Sequence, residues 1–311
     1  MAGTGDGPLV RAEPVSPSAD PSTLAARVRV VLLDFNGGDT IAEAVRCVVA
    51  TNWPKDRLDV VCVDNGSTDG SIERIAEDFL SVRIVRNGRN LGFPGNNAAL
   101  GDLDAVEFVA LVNSDAFVDP DWLAPLVERA RSDEGIGAVC PKILLDGRFR
   151  ELELGVRDDA GRPARAAVLR GVRVDGVDVF ARCHVVGGGG RSADRSGVFE
   201  WLADGARLRV PVRDGAPSII DLEVEGRRGC VISVGGVEGE ARSLAAGTRA
   251  AITTTVNDAP VDVLNDVGSW VDTAWTGHER GLFEVDAGQY DEPVEVGTWC
   301  GAGVLLRADH L

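Results

Sequence analysis

The sequence contains no Cys-x-x-Cys pair, although six cysteines are scattered through it at positions 47, 62, 140, 183, 230 and 300. No structural zinc site is therefore expected. Cys62 and Cys140 sit inside apolar runs, where a thiol acts as a small buried hydrophobe. No apolar run reaches the roughly 18–20 residues that cross a bilayer. The N-terminus has no basic stretch leading into an apolar one, so no secretory signal is expected. Histidine is scarce: His184, His278 and His310 stand alone, outside any Ser/His/Asp or Cys/His grouping, and each is expected to be a packing or surface residue. Positive charge is also short, with 32 Lys+Arg against 49 Asp+Glu and a net charge of −17. Nonspecific nucleic-acid binding rests on basic residues and is not expected. A nucleotide remains open, because a metal ion can offset phosphate charge locally. Most of the acidic excess reads as solvated surface.

What is present is organised in blocks. The 311 residues, 44% of them hydrophobic, suffice for one large domain or two smaller ones. Met1–Ala26 is rich in Pro, Ser, Ala and Gly and is expected to be a disordered leader. From Val28 to about residue 145, apolar strands alternate with amphipathic stretches. Strands are expected at Val28–Phe35, Leu58–Val63, Val82–Val85, Glu107–Val112 and Ile136–Ile143. Helices are expected at Asp39–Ala50, capped by Asp39 or Thr40, at Ser71–Phe79, capped by Asp69, at Asn96–Leu100 and at Asp121–Arg131. Repeated βα units imply an α/β fold: a Rossmann-like, mostly parallel sheet with helices on both faces.

The character changes after about Gly155. Val156–Val261 is rich in Gly, Val, Arg and Asp, and short alternating stretches such as ARLRVPV, SIIDLEVEG and GCVISVGG replace long helices. This predicts an inserted antiparallel β module, a small sandwich or barrel. Asn265–Tyr290 reads as loop, with Trp270, Trp275 and Phe283 as packing anchors. Val294–Leu306 returns to an apolar strand pattern, and a helix is expected to start at Arg307–Leu311. The expected divisions are 1–26, 27–154, 155–262 and 263–311.

Chemistry concentrates where strands end. Three apolar strands deliver Asp64 in DNGSTDGS, Asn90 and Asn97 in RNGRNLGFPGNNAAL, and Asn113-Ser114-Asp115 in ALVNSDAFVDPDWL. In open α/β sheets ligands bind at the carboxyl ends of strands. Asp64 either orders the turn behind it or accepts hydrogen bonds from a base or ribose. Asp115 is either a turn residue or a ligand for a hard divalent cation, Mg²⁺ or Mn²⁺, which takes few protein ligands when phosphates complete its shell. Gly92 and Gly95 either make a tight loop or let backbone approach a ligand. No Gly-x-Gly-x-x-Gly follows the first strand; Asn36-Gly37-Gly38-Asp39 stands there instead, which disfavours an NAD-dependent oxidoreductase.

In their order, these motifs resemble the family 2 nucleotide-sugar glycosyltransferases, which have the GT-A fold. The stretches that carry the resemblance are VVLLDFNGGDTIAEAVRCV, DVVCVDNGSTDGS, NLGFPGNNAAL and ALVNSDAFVDPDWL, with DAGQYDEPVEVGTWCGAGVLLRADHL further on. It covers about residues 28–146 and 265–311 and is nearest to rhamnosyltransferase-like members. The resemblance implies an inverting transferase moving a sugar from a nucleoside-diphosphate sugar, dTDP-rhamnose among the candidates, to a glycan or lipid-linked acceptor. It implies that Asp34 and Asn36 line the base pocket, that Asp64 contacts base or ribose, and that Asn90 and Asn97 border the nucleotide. Asn113-Ser114-Asp115 corresponds to the family's D-x-D element, with Asp115 facing Mg²⁺ or Mn²⁺, and Trp299, Cys300 and Gly301 lie near sugar and acceptor. The implied setting is cytoplasmic, in cell-wall or surface-polysaccharide synthesis, with association to the inner face of the membrane as an option.

The chain departs from the family pattern in three places. Asn113 replaces the first acid of D-x-D, the loop after Phe93 is one residue shorter, and the β-rich stretch interrupts the core. The family's acidic base motif would follow the WCGAG-like strand. The chain ends before it, so it is expected to be an N-terminal piece of a longer enzyme, with no base named. The competing reading is a non-catalytic nucleotide- or glycan-binding protein.

Overall fold

The computed structural model describes residues 26–213, 217–235 and 240–311. The expected disordered leader lies outside the described residues, apart from Ala26. The chain forms two compact units. One runs up to Ile143 and also takes Asp266–Leu282 and Gly288–Leu311; the other is Leu144–Asn265 with Phe283–Ala287.

The first unit is built on a six-stranded sheet. Strands β1 (Val28–Asp34), β2 (Leu58–Asp64), β3 (Arg83–Arg86) and β4 (Phe108–Asn113) run parallel in the order β3-β2-β1-β4. The strand Gly303–Arg307 then pairs antiparallel with β4, and β5 (Ala138–Val139) closes the edge. Strands β1, β2 and β4 read as continuous apolar runs because both of their faces are buried. Pro141 follows β5 almost at once. Its missing N–H explains why the strand expected over Ile136–Ile143 breaks into two short pairs.

The expectation of helices on both faces is corrected. Helices α1 (Gly38–Val49), α2 (Ser71–Asp78) and α3 (Leu123–Arg131) all pack on one face. Ile41, Val45, Ile72, Ile75, Leu123 and Val127 meet Val30, Leu32, Cys62, Phe108 and Ala110 there. Right-handed crossovers explain the placement of α1 and α2. The links β1–α1–β2 and β2–α2–β3 step the same way across the sheet. The link from β3 back to β4 steps the other way and crosses the opposite face. That link carries the helix expected at Asn96–Leu100, but Gly92, Pro94 and Gly95 leave only 3-10 turns at Phe93–Ala99. Ala99 and Leu100 cover Val31, Val61, Val109, Leu111 and Val304 on that face.

Local signals were misread at some ends. Gly37, not Asp39 or Thr40, precedes α1. Leu123 opens the last helix, and the chain end forms a 3-10 turn at Ala308–His310. The stretch Asn265–Tyr290 is not simply loop, because Ser269–Val271 and Gly277–Glu279 form a hairpin. Trp275, expected as a packing anchor, is 90% exposed.

Among its described residues the second unit is built of β-strands, with a 3-10 turn at Phe180–Arg182. One antiparallel sheet joins His184–Val186, Ala206–Val212, Arg148–Asp158, Cys230–Val234 and Glu240–Leu244 in that order. The other carries Ala167–Val174, Gly197–Leu202, Ser218–Gly226 and Arg249–Val256. Leu152, Leu154, Leu169, Leu208, Ile220, Leu222 and Ile232 share one core, as in a two-sheet sandwich. The strand Arg148–Asp158 runs through the division expected at 154/155. It reaches back because Leu152 and Leu154 continue the alternation that Val156 belongs to.

Candidate functional site

Register brings the polar residues together. Asp34 is the parallel partner of Asp64, Asp64 of Arg86, and Leu33 of Asn113. The carboxyl edge of the sheet thus presents Arg86, Asp64, Asp34 and Asn113 on successive strands.

The two aspartates are mostly inside. Asp34 is fully buried. Its Oδ1 accepts from the Gly37 amide at 2.9 Å, and its Oδ2 accepts from the hydroxyls of Ser67 at 3.0 Å and Ser71 at 2.7 Å. Asp64 Oδ1 accepts from the amides of Gly66 and Ser67, while Oδ2 receives the Arg86 guanidinium at 2.8 Å. Burial pushes the Cys62 thiol up to about 12, with the charges of Asp34 and Asp64 adding to the shift. Asp69 belongs to the same frame. It accepts from the Ser71 hydroxyl and amide and from the Gly38 amide, and the Ser71 hydroxyl bond holds its carboxyl below the usual range.

Asn36 lies in the left-handed region at φ 57°, and its Oδ1 accepts from the Thr68 amide at 2.8 Å. Asn65, treated in the sequence only as a turn residue, is the hub of the next loop. Its Nδ2 donates to Asn90 Oδ1 and Gly92 O, and its Oδ1 accepts from Asn87 Nδ2 and the Leu91 amide. Gly95 is needed against it, because a Cβ there would lie 2.7 Å from Asn65 Oδ1. Asn96 is buried and donates to Phe93 O, whereas Asn97 is exposed.

Asn113 donates its amide to Ala302 O at 3.0 Å, which ties the end of β4 to the segment holding Trp299, Cys300 and Gly301. Gly301 packs against the Phe93 ring, where a Cβ would lie 2.7 Å from Cε2. Trp299 and Cys300 are half-buried, and burial pushes the Cys300 thiol up. Asp115 is exposed and has no hydrogen-bond or ion-pair partner among the described residues. Of the donor and metal candidates, Asn36, Asn90, Asn97 and Asp115 present exposed side chains, and Asp34 and Asp64 brace the turns behind them. Arg86, Asn65 and Ser71 were missed in the sequence. Only cross-strand register and the Asp34 cluster reveal them.

Among the described residues no group of three or more His, Cys, Asp or Glu could hold a metal ion. Asp115 is a single exposed carboxylate, a donor type suited to a hard cation whose other ligands are phosphate oxygens and water.

The model of the family described as glycosyl transferase family 2 matches residues 30–185. This chain belongs to that family. The match begins inside β1 and runs past the sheet into the sandwich. Among curated relatives, the poly(ribitol-phosphate) beta-glucosyltransferase of Bacillus spizizenii is 26% identical over 102 residues, covering 31% of this chain and 16% of that protein. The succinoglycan biosynthesis protein ExoO of Rhizobium meliloti is 33% identical over 136 residues, covering 41% of this chain and 38% of that protein. The chain thus spans well under half the length of these relatives. Among solved structures, the mannosyltransferase PcManGT from Pyrobaculum calidifontis, in complex with GDP-Man and Mn²⁺, is 30% identical with a TM-score of 0.36. That likeness covers 42% of this chain and 39% of the mannosyltransferase. No helix among the described residues of this family 2 chain is long and apolar enough to cross a membrane.

Proposed function

We propose that this family 2 chain carries the donor half of an inverting glycosyltransferase that moves a sugar from a nucleoside-diphosphate sugar to a glycan or lipid-linked acceptor. The observation that carries the reading is the exposed Asp115 carboxylate, unpartnered among the described residues, just past the strand end that Asp34 and Asp64 adjoin through β1. An acid in that position suits a diphosphate neutralised by a divalent cation.

The roles divide by burial. Asp34, Asp64 and Asn65 hold three turns rigid from behind. Asn36, Asn90 and Asn97 offer side-chain amide N–H groups to base and ribose, while the Oδ1 atoms of Asn36 and Asn90 are held by Thr68 and by Asn65 and Gly92. Asp115 would hold Mg²⁺ or Mn²⁺, which when bound supplies positive charge for the leaving diphosphate. Trp299, Cys300 and Gly301, tied to β4 through Ala302, border the reacting sugar. The setting proposed is cell-wall or surface-polysaccharide synthesis, in line with the names of the relatives, and the proposal places it on the cytoplasmic side. A rhamnosyl donor is one member of the donor panel.

The test is a transfer and donor-hydrolysis assay with Mg²⁺ or Mn²⁺ over UDP-, GDP- and dTDP-sugars, dTDP-rhamnose included, using the protein in which this chain occurs. Metal-dependent release of one nucleoside diphosphate is expected. No binding and no turnover across the panel would remove the proposal. Asn113 in place of an acid favours a second reading, binding without transfer. Tight nucleotide-sugar binding with no product would select that reading.

A further inference from the structure

A tryptophan on the hairpin tip stands in a conformation that its side chain does not favour. The hairpin pairs Ser269 with Glu279, Trp270 with His278 and Val271 with Gly277. Its turn is held by Asp272, whose Oδ1 accepts from the amides of Ala274 and Thr276, both at 2.9 Å, and whose Oδ2 meets His278 Nε2 at 3.0 Å. The Trp275 amide donates to Asp272 O at 3.0 Å. These bonds hold Trp275 at φ 61°, a region where glycine is at ease and a bulky side chain costs free energy. The indole is 90% exposed, so burial within this chain does not offset that cost. Folding alone would favour Gly or Asn at this position.

The hairpin is fixed to the acceptor-side segment. Ser269 and Thr298 exchange backbone hydrogen bonds at 3.0 Å in both directions, and Trp299 follows directly. Val267 and Arg280 at the hairpin base, with Thr298 and Trp299, help to line a cleft of about 1020 Å³. A second flat surface lies beside the tip, where Trp270 stacks on His278 at 4.2 Å and remains 49% exposed.

Charge selects the occupant. Residues 269–279 contain Asp272 and Glu279 and no Lys or Arg. The next cation, Arg280, lies over the Tyr290 ring at 4.5 Å. A polyanion or an anionic lipid surface therefore finds no Lys or Arg on this tip to pair with. An uncharged sugar ring needs no such partner. Its C–H face suits the flat indole, and its hydroxyl rim can accept from the indole N–H.

Building on the proposed glycosyltransferase reading, we propose that the hairpin Ser269–Glu279 is an acceptor platform on which Trp275 stacks against an uncharged sugar of an oligomeric glycan. The acceptor class is thereby a neutral glycan rather than a phosphate-rich polymer or a lipid surface.

The experiment titrates the full protein with neutral hexasaccharides (malto-, cello-, manno- and galacto-hexaose), with poly(ribitol phosphate) and with phosphatidylglycerol vesicles. Tryptophan emission and calorimetry are the readouts, and the variants are Trp275→Gly and Trp275→Phe. At least one neutral hexasaccharide is expected to bind and to shift the emission to the blue. Trp275→Gly should weaken that binding roughly tenfold or more, the loss of one stacked contact, and Trp275→Phe should retain most of it. The melting temperature of Trp275→Gly should be unchanged or higher, since glycine suits the turn; a merely structural tryptophan would lower it. Nucleoside-diphosphate binding should be equal in all three proteins. If wild type binds no neutral hexasaccharide, or Trp275→Gly binds it as well as wild type, the platform is wrong. Trp275-dependent binding to the polyphosphate or to vesicles overturns it equally. If nucleotide binding is missing from wild type, the donor reading falls, while the saccharide titration still decides the platform.

Discussion

The Asp34 carboxylate accepts a hydrogen bond from the Ser71 hydroxyl at 2.7 Å, which ties the end of β1 to the first turn of α2. Ser67 and the Gly37 amide bind the same carboxylate, so one buried acid organises three turns. In Asp34→Ala, the buried Ser71 hydroxyl and the half-buried Ser67 hydroxyl and Gly37 amide lose their acceptor. Such a loss should cost about 2–4 kcal/mol of stability. Urea unfolding followed by tryptophan fluorescence measures it, and an unchanged midpoint would contradict the bracing role.

Gly95→Ala places a methyl group 2.7 Å from Asn65 Oδ1 and 2.9 Å from Asn87 Nδ2. The loop Asn90–Asn97 must shift to admit it. We expect a loss of about 1–3 kcal/mol together with weaker nucleoside-diphosphate binding. Thermal melting and calorimetry on one preparation would report both effects.

Asp115→Asn should leave the fold alone, because the side chain is exposed and unpartnered among the described residues. Metal-supported nucleotide affinity should fall roughly tenfold or more, as expected for loss of a charged ligand. Calorimetry with Mn²⁺ and again with EDTA is the check. Equal affinities for variant and wild type in Mn²⁺ would remove Asp115 from the metal site.

The sandwich unit carries a pH-sensitive ion network. The Arg170 guanidinium holds the Asp194 carboxyl well below the usual carboxylate range, with Arg227 contributing. A depressed folded-state pKa stabilises the fold above the unfolded value, about 3.9. That contribution is lost as the pH falls through the folded value. Asp194→Asn should therefore be less stable than wild type at pH 7, and the difference should shrink below about pH 4. Denaturation series at pH 7, 4 and 3 provide the comparison; a gap that widens in acid would contradict it.

Leu145 and Val263 meet through a 2.8 Å backbone hydrogen bond at the two ends of the sandwich. A short Gly/Ser link between them can replace the intervening chain without stretching either strand end. The shortened protein should keep its nucleoside-diphosphate affinity, because all the donor residues precede Leu145. A folded product that no longer binds nucleotide would assign part of the donor site to the sandwich.

Periodicity and turn chemistry along the chain carried much of the architecture. Val28–Asp34, Leu58–Asp64 and Phe108–Asn113 are short, Val-rich apolar runs bounded by turn residues, a pattern that reads as buried strands, and each ends in polar residues. Such features are local, set by side chains two to four positions apart, and composition exposes them directly. Register and crossover are not local. That Arg86 closes on Asp64, that all three helices share one face, and that Gly303–Arg307 joins the sheet antiparallel depend on residues far apart in the chain. The same holds for Trp275. As a residue type it suggested a packing anchor, but the Asp272 turn, formed by pairing across the hairpin, holds it out in solvent. Burial depends on which distant surfaces meet, and composition alone does not encode that geometry.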